Sequence, residues 1–270
     1  MVLALMMDAS DENNKNEMRI NRYIAAAGVC SRRKADEMIA SGEVTIDGKV
    51  AVTGQKITLG QELLVRGKAV HLQRDYVYLL LNKPRGITCT ASRKDPDNVI
   101  DFLSFEHRVF PVGRLDKLST GLLLLTNDGE TAHLILRTDG FHEKEYRVRV
   151  DRPVDDHFIR LMSTGIPILE KVTLPCFVEK TGDRTFTIIL TQGLNRQIRR
   201  MCEYLGYRVM SLQRTRIMNL EIGDLPVGKW RYLTPEEIAE LKSALDRASP
   251  GTKQTSPDSN EVSRSDNRSC

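Results

Sequence analysis

The sequence predicts an α+β protein in which a small domain of helices and short strands precedes a larger domain built on a sheet with flanking helices. Apolar residues recur at helical spacing in residues 20–27 and 31–40, and alternating strand patterns follow through residue 65. Beyond residue 75, segments with strand character are interspersed with amphipathic helical ones. With 270 residues and 40% hydrophobic content, the chain can build more than one core.

The expected domain boundaries follow changes in composition. The first domain spans residues 18–72 and the second spans 75–248, with a basic linker between them. Residues 1–17 are expected to form a disordered leader and residues 249–270 a disordered tail. Residues 8–17 and the whole tail are polar and lack apolar periodicity, so they cannot bury enough surface to fold.

Composition excludes several classes of protein. The formal net charge of +4 is a modest excess, which favours a polyanionic partner only where positive charges cluster. The five cysteines are scattered, so we expect reduced thiols in a cytoplasmic protein, with neither a disulfide framework nor a metal site. No segment approaches the roughly 18 uninterrupted apolar residues of a membrane helix, so we expect a soluble protein with no membrane partner.

In the first domain, the pattern predicts two helices and then a hairpin. Gly28 suits the end of the first helix, and Ser31 opens the second. The Asp47-Gly48 dipeptide between alternating segments predicts a two-residue hairpin turn. The two helices carry five positive charges: Arg19, Arg22, Arg32, Arg33 and Lys34. Such a run is ordinarily a solvated helix face, and the alternative is a surface that binds nucleic acid.

In the second domain, the four residues Leu122–Leu125 lie between Gly121 and an Asn-Asp-Gly turn, which predicts a strand buried on both faces. Pro84 and Gly86 stop an earlier apolar strand. The remaining patterns predict strands at residues 76–81, 143–150, 173–180 and 185–192, and helices at residues 131–137, 155–162, 193–206 and 234–248.

A polar, glycine-punctuated loop, Gly113-Arg-Leu-Asp-Lys-Leu-Ser-Thr-Gly121, leads directly into the buried strand. Glycine permits backbone conformations that other residues resist, so Gly113 and Gly121 can fix a tight excursion that places Asp116 and Arg114 at the mouth of a cleft. An isolated aspartate in a loop is ordinarily a turn former or a helix cap.

The string from Gly113 to Gly129 resembles the nucleophile motif of the RsuA/Rlu class of pseudouridine synthases. In that class, the aspartate at the position of Asp116 is the essential residue. Lys83-Pro-Arg-Gly86 is similar to the first motif of the class, whose turn supports the active-site cleft. Among the branches of the class, Arg108-Val-Phe-Pro-Val-Gly-Arg-Leu-Asp116 and Arg214-Thr-Arg-Ile-Met-Asn-Leu220 are most similar to the RluF branch, which implies an action on 23S ribosomal RNA.

Two further segments carry the resemblance. Lys144-Glu-Tyr146 is similar to the second motif, whose tyrosine lies against the target base, although an inward tyrosine is ordinarily core. Asn195-Arg-Gln-Ile-Arg-Arg-Met201 is similar to the third motif, in which the arginine at the position of Arg199 pairs with the aspartate. Without the resemblance, the arginines in the first two turns of the predicted helix would be read as surface charge.

The resemblance implies a catalytic domain with a mixed, mainly antiparallel sheet, and roles for its side chains. Asp116 would act on the ribose, with Arg199 favouring its ionised form through a two-point contact. Tyr146 would stack on the flipped uracil, and Arg114 would fill the vacated stack. Other polar residues would lie along RNA phosphates: Lys83, Asn195, Arg196 and Arg200.

The first domain resembles the S4 RNA-binding domain, which assigns its five basic residues to RNA. The expected activity is the isomerisation of uridine to pseudouridine in ribosomal RNA, with 23S RNA preferred, by a monomer that needs no cofactor. Alternatives are a synthase acting on 16S RNA or transfer RNA, and a non-catalytic S4-type assembly factor. A methyltransferase would want a glycine-rich nucleotide loop after a strand, and the sequence has no Gly-x-Gly-x-x-Gly.

Overall fold

A computed structural model describes residues 17–58, 60–72, 75–92, 94–137 and 139–248. The predicted tail and residues 1–16 of the predicted leader lie outside these ranges. The predicted leader was one residue too long. Glu17 begins a strand, in which it pairs with Thr58.

The amino-terminal part has its own core. Apolar residues of two helices and of the short strands form one cluster, which includes Ile24, Ile39, Val44 and Leu63. The predicted two-residue turn is confirmed, because Ile46 pairs with Lys49 across Asp47 and Gly48. The elements are β1 (Glu17–Arg19), α1 (Ile20–Ala26), α2 (Arg32–Ala40), β2 (Val44–Ile46), β3 (Lys49–Val50), β4 (Lys56–Thr58), β5 (Leu63–Val65) and β6 (Lys68–Ala69).

The second part is built on a nine-stranded mixed sheet. Its strands are β7 (Tyr78–Lys83), β8 (Phe110–Pro111), β9 (Thr120–Thr126), β10 (Lys144–Val150), β13 (Phe177–Gly182), β14 (Thr185–Leu190), β15 (Val209–Ile217), β16 (Leu220–Glu221) and β17 (Trp230–Tyr232). The order is β13-β14-β10-β15-β9-β7-β17, with β16 on β15 and β8 on β9. Of these strand pairs, β15 with β9 alone is parallel, so the predicted α+β class with a mainly antiparallel sheet is confirmed.

Helices cover both faces of this sheet. One face carries a cluster with helices α5 (Asp156–Thr164) and α6 (Gln197–Tyr204), which we call the α5–α6 cluster, and a neighbouring cluster that includes Leu115, Leu123 and Leu125, which we call the loop cluster. The opposite face packs against α4 (Gly129–Leu136) and α7 (Pro235–Arg247). The remaining elements are α3 (Val99–Leu103) and a small hairpin of β11 (Pro167–Ile168) and β12 (Lys171–Val172).

Local sequence explains why these elements begin and end where they do. The buried strand is confirmed, since all four residues Leu122–Leu125 are fully buried and alternate between the two faces. Helix α7 begins with a complete capping box between Thr234 and Glu237. Strand β7 differs from its prediction by continuing through Lys83, and α6 begins only at Gln197, because Arg196 adopts a left-handed conformation with φ of 50°.

Candidate active site

The loop that carries Asp116 runs between β8 and β9 and is held by its own backbone. The Leu115 amide donates to Cys89 Sγ at 3.3 Å, and the Ser119 amide donates to the Asp116 carbonyl at 3.0 Å. The Leu115 side chain is buried in the loop cluster, which anchors the chain directly before Asp116. The Asp116 side chain itself is 31% exposed. A half-buried carboxylate is therefore presented by a loop with little freedom.

Gly121 is required where this loop enters β9. Its φ is +103°, and a Cβ at this position would lie 2.2 Å from the carbonyl oxygen of Arg214 on the neighbouring strand. Gly113, at the other end of the loop, also has a positive φ of +76°. Both glycines thus adopt conformations that side chains resist, as the sequence predicted.

Arg199 is the nearest cation to Asp116 in the ion pairs of the described residues. Its Nε lies 3.7 Å from Asp116 Oδ2. The other two nitrogens are engaged elsewhere: Nη1 donates to the Val209 carbonyl and Nη2 to Ser119 Oγ, each at 3.4 Å. The expected two-point contact with Asp116 is therefore wrong. Arg199 approaches the carboxylate through Nε alone, because its other two nitrogens donate hydrogen bonds to Val209 and Ser119.

The electrostatics of this pair follow from burial. Arg199 is only 7% exposed, so the view of this arginine as surface charge is also excluded. Burial lowers the pKa of Arg199 from its ordinary value, and the Asp116 carboxylate acts in the opposite direction. A charge pair in such a place interacts more strongly than one in water.

Lys83 does not lie along RNA phosphates, and that prediction is wrong. Its side chain is fully buried, and its Nζ donates to the carbonyls of Pro84 and Ser119, both at 2.8 Å. Lys83 thereby ties the turn after β7 to the Asp116 loop. Burial lowers the pKa of Lys83, whereas the nearby Cys89 and Asp116 act to raise it. The carboxylate therefore has a second buried cation nearby.

Tyr146 lies on the same face of the sheet as the Asp116 loop. It is half-buried on β10 and packs against both the α5–α6 cluster and the loop cluster. Its strand neighbour Val148 points into the α5–α6 cluster, so the two side chains share that face. Tyr146 thus lies between the two clusters, and the loop cluster contains Leu115, the residue directly before Asp116.

An open cleft of about 880 Å³ adjoins Asp116. Its lining includes Arg114, Asn195 and Arg196, all of which are exposed, as expected for residues that meet RNA. Arg200 instead folds back, donating from Nε to the Asn195 carbonyl at 3.1 Å and from Nη2 to Asn195 Oδ1 at 3.3 Å. Arg200 therefore stabilises the loop that precedes α6.

The five basic residues predicted on the first two helices are all exposed. Arg19 lies at the end of β1, directly before α1, and the other four lie in the two helices. Arg22 forms an ion pair with Glu130 of the second part of the chain, and Lys34 forms one with Glu37. Among the described residues, no ion pair engages Arg19, Arg32 or Arg33. These three guanidinium groups are available to a polyanion.

Sequence reasoning overlooked two side chains at this site. Ser119 belongs to the Asp116 loop, but its contact with Arg199 depends on how α6 lies against that loop. Arg214, on β15, is a buried charged residue whose Nε donates to the Leu122 carbonyl at 2.8 Å. The available signal was a basic residue two positions after the buried Leu212 in a strand, which places it on the core face.

Within the described ranges, no group of three or more potential ligands could hold a metal ion. The same ranges contain no helix that is long and apolar enough to span a membrane.

The architecture and this site can be compared with known proteins. A family model described as RNA pseudouridylate synthase matches residues 77–204, and an S4 domain model matches residues 18–63. A crystal structure of a pseudouridylate synthase superposes with a TM-score of 0.62 at 28% identity, covering 83% of this chain and 99% of that one. The fold and site thus define an RNA pseudouridine synthase preceded by an S4 domain.

Similar curated proteins give a finer placement. The chain is 47% identical to the dual-specificity RNA pseudouridine synthase RluF of Salmonella typhi, over 87% of this chain and 82% of that protein. It is 46% identical to RluF of Escherichia coli K12, with 88% and 83% covered. It is also 35% identical to the ribosomal large subunit pseudouridine synthase B of Bacillus subtilis, with 84% and 97% covered. The chain belongs to the RsuA/Rlu family of RNA pseudouridine synthases.

Proposed function

We propose that this enzyme isomerises a specific uridine of ribosomal RNA, in the 23S molecule, and that the carboxylate of Asp116 carries the reaction. The observation that supports this assignment most directly is the Asp116–Arg199 pair, in which a half-buried carboxylate faces a nearly buried guanidinium at the edge of an open cleft. The names of the relatives support ribosomal RNA, since one is a ribosomal large subunit synthase.

The reaction rearranges the target nucleotide without consuming another reagent. The bond between ribose C1′ and uracil N1 breaks, the base turns, C5 bonds to C1′, C5 loses its proton and N1 gains one. Two roles are open to the Asp116 carboxylate: covalent attack at C1′, or stabilisation of the cationic sugar. Both roles use the negative charge of the carboxylate, and the nearby cations Arg199 and Lys83 interact favourably with that charge.

The remaining side chains of the site have separate roles in binding the RNA. Tyr146 stacks on the extruded uracil, while Arg114 occupies the space that the base leaves, which offsets part of the few kcal/mol that flipping costs. Arg196 and Asn195 contact the backbone across the cleft, and Arg200 holds Asn195 in place. The exposed positions of Arg114, Asn195 and Arg196 around the cleft support their roles.

The S4-type domain, residues 18–72, binds an RNA helix next to the target. The catalytic domain, residues 75–248, binds the RNA loop that contains the target uridine. The exposed Arg19, Arg32 and Arg33 of the S4-type domain provide the charge for phosphate contacts. An RNA substrate of this kind places the enzyme in the cytoplasm, where it acts as a monomer without a cofactor.

A second RNA substrate is also supported, because the relatives named RluF are described as having dual specificity. The alternatives of 16S RNA or transfer RNA are separated by one experiment. Pseudouridines are mapped in all RNA from cells that lack this protein, from complemented cells, and from cells complemented with Asp116→Asn.

We expect one 23S position to lose its modification in the deletion and to regain it only with the wild-type protein. Loss confined to 16S RNA or transfer RNA would replace the proposed substrate. Restoration by Asp116→Asn would support a non-catalytic S4-type assembly factor instead.

A further inference from the structure

Arg214 is a buried guanidinium that the mechanism above leaves unused. It lies in β15, is 4% exposed, and donates from Nε to the Leu122 carbonyl at 2.8 Å. Its Nη2 is also buried, and within the described ranges it has no hydrogen-bond partner. A buried donor without a hydrogen-bond partner destabilises the folded protein, and a charged donor does so more than a neutral one. The unpaired Nη2 of Arg214 therefore requires an explanation.

The strand register places this side chain beneath the Asp116 loop. Arg214 pairs with Tyr146 on one side and with Gly121 on the other, and Gly121 pairs in turn with Lys83. Directly paired residues of adjacent strands point to the same face of a sheet. Arg214 and Tyr146 therefore point side by side to the face that carries the loop, and Gly121 contributes no side chain to fill the space between Arg214 and Lys83.

An irregularity in the sheet separates Arg214 from its basic neighbour on the same strand. The register between β10 and β15 shifts at Tyr146. Glu145 pairs with Arg216 and Tyr146 pairs with Arg214, so Thr215 is an extra residue of β15 without a paired residue on β10. Arg216 turns to Glu143 and Glu145, with which it forms ion pairs. Arg214 has no such acidic partner among the described residues. Bulges of this kind often re-aim side chains next to active sites.

The surroundings of Arg214 are cationic, which makes its burial more costly. Burial lowers the pKa of Lys144 to about 8, and the Arg214 charge adds to that lowering. Burial also lowers the pKa of Lys83, and the Arg214 charge adds to that lowering. Burial raises the pKa of Cys89, a residue of the cleft lining, and the Arg214 charge acts against that rise. A site of concentrated positive charge under a catalytic loop favours an electron-rich group that arrives from the cleft.

The depth of Arg214 decides which part of the RNA can reach it. A phosphodiester remains in the RNA backbone, outside the sheet, and is kept away from a side chain that is only 4% exposed, whereas an extruded base is the part of the RNA that leaves the backbone and enters the site. Tyr146, the residue proposed to stack on the base, is the strand neighbour of Arg214. A base stacked on that ring would present its edge carbonyl oxygens within reach of the adjacent guanidinium.

We propose that Nη2 of Arg214 donates a hydrogen bond to a carbonyl oxygen, O2 or O4, of the extruded target uracil. This inference rests on the proposed function and deepens it. When the C1′–N1 bond breaks, its electron pair leaves with the base, and the negative charge spreads over the carbonyl oxygens. The hydrogen bond then becomes charge-assisted and stabilises the detached base until C5 bonds to C1′. Arg214 keeps its proton throughout.

The test compares enzyme variants on substrates that differ by one small chemical change, in the manner of a double-mutant cycle. The RNA is a fragment that the wild-type enzyme modifies, with uridine, 2-thiouridine or 4-thiouridine at the target, or with a methylphosphonate at the target phosphate. Sulfur is a weaker acceptor than oxygen. Single-turnover rates are measured for the wild type, Arg214→Gln and Arg214→Lys, and the intrinsic effect of each substrate change cancels between enzymes.

Arg214→Gln replaces the charged guanidinium with a shorter, neutral amide, which should slow the uridine reaction by about 10²-fold, with RNA affinity nearly unchanged. The penalty for one of the two thiouridines should be present in the wild type and largely absent in Arg214→Gln. Arg216→Lys is the matched control on the same strand and should retain both the rate and the penalty. Thermal unfolding checks each variant, and Arg214→Lys, which keeps the charge, replaces Arg214→Gln if the latter fails to fold.

Equal thiouridine penalties in the wild type and in both Arg214 variants would overturn the proposal. Coupling with the methylphosphonate alone would also overturn it, by assigning Arg214 to the backbone. A wild-type enzyme that converts uridine in no fragment of ribosomal RNA would instead contradict the proposed function, before any variant is compared, so the two failures are distinguishable.

Discussion

At the scale of single residues, the way Arg199 is held predicts what its replacement will do. Its guanidinium is fixed by the Val209 carbonyl and Ser119 Oγ, which leaves Nε to face Asp116. Arg199→Lys keeps one charge but cannot make these three contacts together. We expect the single-turnover rate to fall by about 10²-fold or more, with RNA affinity changed much less.

Arg200→Lys is the matched control, because Arg200 is the next residue of the same helix and contacts Asn195 rather than Asp116. It should be mild in both rate and affinity. Both variants are measured by single-turnover kinetics with saturating enzyme and by a binding titration. Equal losses in the two variants, or an Arg199→Lys defect limited to affinity, would show that the catalytic arginine is misassigned.

The sequence identified Asp116, Tyr146 and Arg199 by motif, and the structure brings Asp116 and Arg199 together while placing Tyr146 on the same face of the sheet. The sequence could not show the burial of Lys83, because a lysine at the end of a strand is normally solvated. Of the two backbone carbonyls that accept hydrogen bonds from it, that of Ser119 belongs to a loop that is distant in the chain. The roles of these residues in RNA binding and catalysis stay predictions.

At the scale of elements, the junction of β9 and β15 depends on Gly121. An alanine Cβ would lie 2.2 Å from the Arg214 carbonyl oxygen and 2.7 Å from its nitrogen, at a φ of +103°. Backbone atoms cannot swing aside, so Gly121→Ala should lower the free energy of unfolding by about 2–5 kcal/mol, from overpacking together with backbone strain.

Gly193→Ala is the control for this substitution, because Gly193 has no positive φ and nothing within 4 Å of an added Cβ. Its effect on stability should be within about 1 kcal/mol. The measurement is denaturant unfolding of both variants followed by circular dichroism. If the two variants were equally stable, β9 and β15 would be able to move apart at Gly121 at little cost, and the predicted requirement for glycine there would be wrong.

Periodicity predicted most strands and helices because it reports burial, and burial drives their formation. It failed where the backbone departs from regular geometry. Residues 193–196 were included in the predicted helix, but Arg196 has a left-handed backbone conformation and α6 begins after it. The shift at Thr215 likewise separates Arg214 from Arg216, which a strict alternation of two would place on the same face.

At the scale of the whole molecule, separate cores predict that the two parts of the chain fold independently. The cluster around Ile24 and Leu63 contains residues 18–70 alone, and the three clusters of the second part contain none of these. Deleting residues 1–72 should leave a cooperatively unfolding protein that binds RNA more weakly and with a smaller salt dependence, because Arg19, Arg32 and Arg33 are lost.

The measurement for this deletion is the slope of log affinity against log salt for the truncated and full-length proteins. A triple variant with Arg19, Arg32 and Arg33 changed to Gln is the control for effects of truncation itself, and it should lower the slope as well. An unchanged slope in both proteins would remove the docking role of these residues.

The contacts between the two parts were beyond sequence reasoning. Arg108 donates to the Ala25 carbonyl at 3.2 Å, and Arg22 meets Glu130. Motifs describe each domain by itself, whereas such contacts depend on how the domains are joined. Arg22, predicted to bind RNA, thus has an intramolecular partner as well.

The central claim is that the Asp116 carboxylate isomerises the target uridine, and its most direct test is the single-turnover rate of Asp116→Asn. The RNA is tritiated at uracil C5, so that pseudouridine formation releases tritium. Asparagine preserves the size of the side chain but removes its charge. We expect folding and RNA affinity to be retained and tritium release to fall by at least about 10⁴-fold. A rate within about tenfold of wild type would contradict the claim.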